Sequence, residues 1–183
     1  MISLIFLLSV CVSAQTSGKT YVDKKNGFSI SYASDFKIAT GIKADTVHYF
    51  GDPGKGTKLL KVYPGYIPVK YHGDYEFNVW VSDDAKDKCS EPAADEFPGA
   101  DTDTKQPKTK MVAGQTFYTY NDSDAGMSKA ISVDGLRGVV NGKCWQIQVV
   151  TEQVSAFDHT VSFNQKIIDK SFEQFVNSFR WTK

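Results

Sequence analysis

The chain lacks an excess of either charge: its 183 residues hold 21 Lys plus Arg against 21 Asp plus Glu. A nucleic-acid binder draws most of its affinity from neutralising phosphates and carries a basic surplus, so no nucleic-acid partner is expected. Histidine is scarce. His48, His72 and His159 are scattered with no ligand spacing between any two, and no metal site is written into the sequence. Cysteine is equally scarce, at Cys11, Cys89 and Cys144. There is no internal repeat, low-complexity tract or interdomain linker, and no cofactor-binding motif. Beyond the first dozen residues no apolar run is long enough to span a bilayer, so no transmembrane segment is expected in the processed chain.

What is present fits one globular domain. Hydrophobic residues make up 41% of the chain and aromatics 13%, with 12 Phe and 9 Tyr, a composition that suits a β-rich core. Ile2 to Val12 is apolar apart from two serines, and Val12-Ser13-Ala14 is a small-residue cleavage signature before Gln15. Residues 1–14 therefore read as a signal peptide and 15–183 as a single domain, exported to a periplasm or secreted. No Lys or Arg precedes the apolar region, and a buried N-terminal helix or strand is the alternative. A lipid anchor through Cys11 is disfavoured, because Val10 stands where a small residue is expected before the cysteine.

Two periodicities divide the rest. Phe28, Ile30 and Tyr32 alternate with Ser29, Ser31 and Ala33, following a turn at Asn26-Gly27 that joins them to Thr20–Asp23. Phe36–Thr40 pairs with Thr46–Phe50 on this reading, and Leu59–Tyr63 is a further extended run. Tyr75, Phe77, Val79 and Val81 alternate with Glu76, Asn78, Trp80 and Ser82, which predicts a half-buried strand. Met111–Tyr120, Met127–Val140 (interrupted at Asp134-Gly135) and Lys143–Thr151 are strands, with a second hairpin signal at Asn141-Gly142. Turns this short require antiparallel pairing. The last stretch, Phe163 to Trp181, changes period: Phe163, Ile167, Ile168, Phe172, Phe175, Val176 and Phe179 form one helical stripe. The fold class is α+β, a central antiparallel sheet packed by a long C-terminal helix.

Between the strands, Asp83–Asp103 departs from any folding pattern. It carries Asp83, Asp84, Asp87, Glu91, Asp95, Glu96, Asp101 and Asp103 against Lys86 and Lys88, an acidic excursion that reads either as a passive solvated loop held at Cys89 or as a partner-binding loop for a cation or a basic surface. Cys89 within it and Cys144 are the two cysteines left after processing, and in an exported chain they are expected to form a disulfide.

Several short motifs fail on inspection. Gly51 to Lys58 lacks the Lys-Ser/Thr order of a phosphate loop and is followed by a strand rather than a helix. Asn121-Asp122-Ser123-Asp124 begins like a calcium loop, but Met127 and Val133 occupy its glycine and glutamate positions, so it reads as a polar hairpin turn. The same residues hold a glycosylation sequon. Gly126-Met127-Ser128-Lys129-Ala130 misses the second glycine of a nucleophile elbow. Ser34-Asp35-Phe36-Lys37 has no partner motif for a serine acyl enzyme. No catalytic residue emerges.

The opening Asn26-Gly27-Phe28-Ser29-Ile30-Ser31-Tyr32, the sheet-then-helix order and the ending Phe175-Val176-Asn177-Ser178-Phe179 together resemble the Mog1/PsbP-like group of small exported proteins. The resemblance implies an α/β/α sandwich and a non-enzymatic binding or assembly module, with a protein or envelope component as partner. Two other functions compete: a small-ligand carrier with a pocket between helix and sheet, and a hydrolase with a dispersed site.

Overall fold

In a computed structural model the chain is described at residues 18–42, 56–65, 73–82, 89, 108–125, 129–154 and 164–182. Strands β1 (Lys19–Asp23) and β2 (Phe28–Tyr32) form a hairpin, with Gly27 at φ 74° in the turn. A seven-stranded antiparallel sheet follows, built from β3 (Phe36–Ile42), β4 (Thr57–Pro64), β5 (Gly73–Ser82), β6 (Thr109–Val112), β7 (Gln115–Ala125), β8 (Lys129–Val140) and β9 (Lys143–Val154) in the order β3-β4-β5-β9-β8-β7-β6. The helix α1 (Gln165–Asn177) comes next, and β10 (Arg180–Trp181) returns to pair with β2.

The helix is shorter than its stripe suggests. It ends at Ser178, whose hydroxyl accepts a hydrogen bond from the Ser31 amide at 2.9 Å and lies 2.7 Å from the Phe175 carbonyl. This clamps the helix end against β2, and the next residues become a strand. Phe179 and Trp181 therefore enter the core from an extended segment. Phe179 stacks on Phe28 at 5.2 Å between ring centroids, and Trp181 meets Trp145 edge-on at 5.0 Å. Ile167 is 57% exposed, since it sits one helical step, about 100°, off the buried line through Ile168, Phe175 and Val176. Helix α1 covers one face of the sheet, and among the described elements there is no second helical layer of the kind that an α/β/α sandwich requires.

On the helix side the strand registers align apolar rows. Leu60, Val79, Ile147 and Leu136 face one another across four strands, and Val62, Phe77 and Val149 form the next row. Phe77 contacts both Phe172 and Phe175, with centroids 5.8 and 5.2 Å away. The core is thus a layer of stacked rings between α1 and the sheet.

Three sequence expectations change here. β5 is buried on both faces over Phe77–Ser82, so it is a fully covered central strand. β8 runs unbroken through Asp134-Gly135, because Gly135 is the seat of Tyr120: a Cβ there would collide with the Tyr120 ring. β7 continues to Ala125, with Asn121 opposite Asp134 and Ala125 opposite Ala130, so the polar run Asn121–Asp124 is strand and not turn. β3 pairs with β4; the expected partner Thr46–Phe50 lies outside the described residues.

Gly135→Ala tests that packing. The added methyl must displace the Tyr120 ring and its hydrogen bonds to Gln146 and Gln148, an overpacking loss of about 1–3 kcal/mol. Chemical denaturation should show the lower midpoint, and the double variant Gly135→Ala with Tyr120→Ala should lose less than the sum of the two single changes.

Candidate functional site

The face of the sheet away from α1 is made of polar residues that are nonetheless buried. One cross-strand row reads Lys61, Asn78, Gln148, Gly135, Tyr120; the next reads Lys58, Trp80, Gln146, Arg137, Tyr118. Asn78 is 0% exposed, Gln146 1% and Lys58 3%. Buried polar groups of this kind must find partners, and most do. The Gln148 amide donates to the Tyr120 hydroxyl and, at 3.1 Å, to Gln146 Oε1. The Arg137 guanidinium lies 5.0 Å from the Tyr120 ring centroid.

A bulge creates the charged end of this face. Plain alternation would put Lys58 on the same side as Leu60 and Val62, in the apolar core. The register between β4 and β5 shifts between Lys58 and Leu60, and that extra residue turns Lys58 to the polar side. There its Nζ binds Glu76 Oε1 at 2.8 Å and sits 5.6 Å from the Trp80 ring centroid. Lys61 bridges to the other oxygen of Glu76, and the Asn78 amide donates to Oε1 at 2.9 Å. The carboxylate therefore collects three donors. Desolvation pushes the Glu76 carboxyl up, but the charge and hydrogen bond of Lys58, with those of Lys61 and Asn78, outweigh it and hold the group below its ordinary value. Lys58 is held below the usual lysine range by its own desolvation, against the pull of Glu76.

Above this cluster lies a cleft of about 420 Å³. Ala39, Ile42, Ile131 and Val150 give it apolar walls, while Lys58, Lys61, Glu76 and Asn78 line its charged part with Asp74 and Glu152. Asp74 and Glu152 stand directly opposite each other in the β5–β9 register. Desolvation raises the Asp74 carboxyl above its ordinary value; Glu76 and Glu152 add to this, while Lys61 and a backbone hydrogen bond at Tyr75 work against it. Asn78 Oδ1 is buried and has no hydrogen-bond partner.

The raised Asp74 value has a measurable sign. A carboxyl whose folded value exceeds its unfolded value of 3.8 helps folding at acid pH, and that help is lost as pH rises through the folded value. Asp74→Asn should thus be more stable than the parent at neutral pH, since it removes a charge that folding partly desolvates. The advantage should vanish below the unfolded value. Denaturant titrations at neutral and acid pH measure both, and a variant less stable at neutral pH would contradict the assignment.

The sites anticipated in the sequence fare differently. Cys89 and Cys144 are disulfide-bonded, with Cα atoms 5.4 Å apart. Both are buried, and the bond fixes Cys89 at the polar face of the sheet beside Ser82 and Val139, the register partners of Cys144. Such a bond is compatible with an oxidising compartment. The acidic residues Asp83, Asp84, Asp87, Glu91, Asp95, Glu96, Asp101 and Asp103 lie outside the described residues, as do all three histidines. Among the described residues no three His, Cys, Asp or Glu side chains gather to hold a metal ion, and no helix is long and apolar enough to cross a membrane. A smaller groove of about 210 Å³ sits at the margin of α1, β2 and β3, between Tyr32, Phe36, Gln174 and Ser178. The helix–sheet interface proper is filled by the stacked rings. Lys58, Lys61, Asp74, Glu76, Asn78 and Glu152 were not anticipated. The available signal was Asn and Gln, rather than charge, at the outward positions of two central strands.

An antiparallel sheet carrying one C-terminal helix, with a short hairpin closed by the last strand, defines the PsbP-like fold class. Solved structures of this architecture include the cyanobacterial PsbP (CyanoP) of Synechocystis sp. PCC 6803, with 13% identity and a TM-score of 0.50 over 96% of this chain and 98% of that one. LpqN of Mycobacterium tuberculosis, involved in cell envelope biogenesis, is 8% identical with a TM-score of 0.50 over 91% of both chains. A Bacteroides thetaiotaomicron protein is 10% identical with a TM-score of 0.47 over 91% of this chain and 49% of its own, so this chain spans about half its length. No protein-family model and no curated protein sequence matches the chain. At these identities the likeness concerns the fold.

Proposed function

We propose that the chain is an exported, non-enzymatic binding module whose ligand sits in the charged cleft on the polar face of the sheet. The observation that carries this reading is the bulge between Lys58 and Leu60, which places a buried lysine in a cleft where alternation would have placed it in the core. Burying a charge is costly, and folding alone would be served better by an apolar residue. Export rests on the apolar leader over residues 1–14 and on the disulfide. The charged groups of the Lys58–Glu76–Lys61 cluster are paired with one another. Glu76 is ionised and saturated by donors, Lys58 is held by Glu76, and neither Cys89 nor Cys144 is a free thiol. These features suit holding a ligand rather than transforming one. LpqN, which shares the fold, is involved in cell envelope biogenesis, so an envelope component is the partner class to test first.

A small-fragment screen read by protein NMR tests the location. Shifts should cluster on Ala39, Lys61, Ile131 and Val150. Shifts confined to Tyr32, Gln174 and Ser178 at the helix margin would move the binding site to the other face and overturn the reading.

A further inference from the structure

We propose that Lys58, Asn78 and Trp80 form a site for a hydroxyl oxygen: a water in the free protein, the alcohol of an aliphatic ligand in the complex. The ligand half of this rests on the cleft as the binding site; the oxygen site does not. Asn78, 0% exposed, donates its amide to Glu76 Oε1 and leaves Oδ1, an acceptor, without a partner. Trp80 is 6% exposed, and its indole Nε1, a donor, also lacks a partner. Lys58, 3% exposed, has an ammonium with several N–H donors, and Glu76 Oε1 receives one of them at 2.8 Å. Buried polar groups left unmatched are costly, and proteins meet them with an internal partner or an ordered water. The three side chains are neighbours. Glu76 Oε1 receives both the Lys58 ammonium and the Asn78 amide, which sets those two side by side. Trp80 follows Asn78 on the same face of β5 and is the register partner of Lys58, whose Nζ lies 5.6 Å from its ring centroid.

The donors and acceptor together define the chemistry. Lys58 and Trp80 offer N–H groups and Asn78 offers a lone pair, so the matching group must accept and donate at once. A hydroxyl does both on a single atom. A carboxylate cannot donate to Asn78 Oδ1. An ammonium cannot accept from Lys58 or Trp80, and the Lys58 charge repels it, as it repels a metal ion. Water is the smallest hydroxyl, and buried waters bridge polar groups in this way. Lys58 and Asn78 also line the cleft of about 420 Å³. A ligand lying against Ala39, Ile42, Ile131 and Val150 therefore reaches the same two groups. Its alcohol oxygen reproduces the hydrogen bonds of the water that it displaces, whereas a head group without both functions loses some of them.

Protein NMR on the full exported chain tests both halves. In the free chain a rotating-frame NOE should pass from a bound water to the Trp80 indole proton, with the sign of contact rather than of exchange. Four probes share a six-carbon chain and differ in the head: hexan-1-ol, hexanamide, hexanoate and hexylammonium. Hexan-1-ol should extinguish the water signal, shift Ala39, Ile131 and Val150, and bind at least about threefold tighter than the other three. Trp80→Phe, which removes the N–H and keeps a ring, should weaken hexan-1-ol about two- to tenfold. Ile131→Trp, which fills the cleft, should abolish alcohol binding while the water signal stays. Absence of that signal in the free chain overturns the oxygen site. Another head group binding as tightly as hexan-1-ol, or alcohol binding unchanged by Trp80→Phe, overturns the ligand hydroxyl and leaves the cleft as the site. Binding insensitive to Ile131→Trp, or no binding by any probe, overturns the cleft reading and the ligand hydroxyl together, and the water signal then judges the oxygen site alone. Far-UV dichroism shows that each variant is folded; should Trp80→Phe fail there, the water signal and the ranking of the four probes on the parent chain decide the matter.

Discussion

Glu76→Gln should destabilise the domain by about 3–5 kcal/mol, because it leaves the Lys58 ammonium buried without its counter-charge. Lys58 is 3% exposed and its nearest anion is Glu76 Oε1 at 2.8 Å, so solvent cannot replace what the mutation removes. The same change takes a charged acceptor from Lys61 and from Asn78. Removing both members of the pair is expected to be much milder. Lys58→Met in the Glu76→Gln background deletes the stranded charge and should recover most of the loss, since an apolar replacement of a buried ion pair is often neutral or better. The double-mutant cycle therefore carries a large coupling energy, readable from denaturant midpoints at neutral pH.

Acid titration gives the second readout. Glu76 is depressed below its ordinary value of 4.5, so it contributes stability above that pH which disappears as pH falls through the folded value. Glu76→Gln should flatten that acid limb. A single variant within about 0.5 kcal/mol of the parent, the range of an ordinary surface change, would show that the ion pair is solvated and that the face is not buried in solution.

How far this site could be read from the sequence depends on local register. The hairpins were legible because their turns demand particular residues. Asn141 and Gly142 take φ of 53° and 77°, and Gly27 takes 74°, conformations that Asn and Gly tolerate and most residues do not. The helix stripe was legible because Ile168, Phe172, Phe175 and Val176 keep a 3.6-residue period whatever they pack on. Its end was not. Phe179 continues the helical spacing, and only the tertiary clamp of Ser178 on Ser31 turns the chain into β10.

The charged cleft was illegible for a sharper reason. A period-two pattern assigns Lys58 to the face of Leu60, and one extra residue reverses that assignment. Nothing in the composition around Lys58 announces a bulge. Likewise Glu76, Asn78 and Trp80 look like the wet side of a strand, since alternation tells which residues share a face but not whether that face is covered. The resemblance of Gly27-Phe28 and Phe175–Phe179 to a PsbP-like fold rests on core packing, with Phe28 stacked on Phe179. Such signals identify the apolar layer. Ligand chemistry, if it resides on the opposite face, leaves them untouched.

Loss of the Cys89–Cys144 bond should cost about 4 kcal/mol, the second large effect. The bond closes a loop of 55 residues, and cross-linking a loop of that length removes about that much chain entropy from the unfolded ensemble. Against a typical total of about 5–15 kcal/mol this is a large share, equivalent to a fall in Tm of about 10 °C for a domain of this size. The bond is also sheltered. Cys89 is 0% exposed and Cys144 4%, within a strand paired on both sides by Ser82 and Val139. A reductant should therefore reach it slowly in the native state and quickly once the domain opens in denaturant. The double variant Cys89→Ala with Cys144→Ala isolates the equilibrium effect, and thiol trapping followed by mass spectrometry isolates the kinetic one. An unchanged unfolding midpoint in the double variant, or rapid reduction without denaturant, would mean that the loop from Cys89 to Cys144 is not closed by this bond in solution.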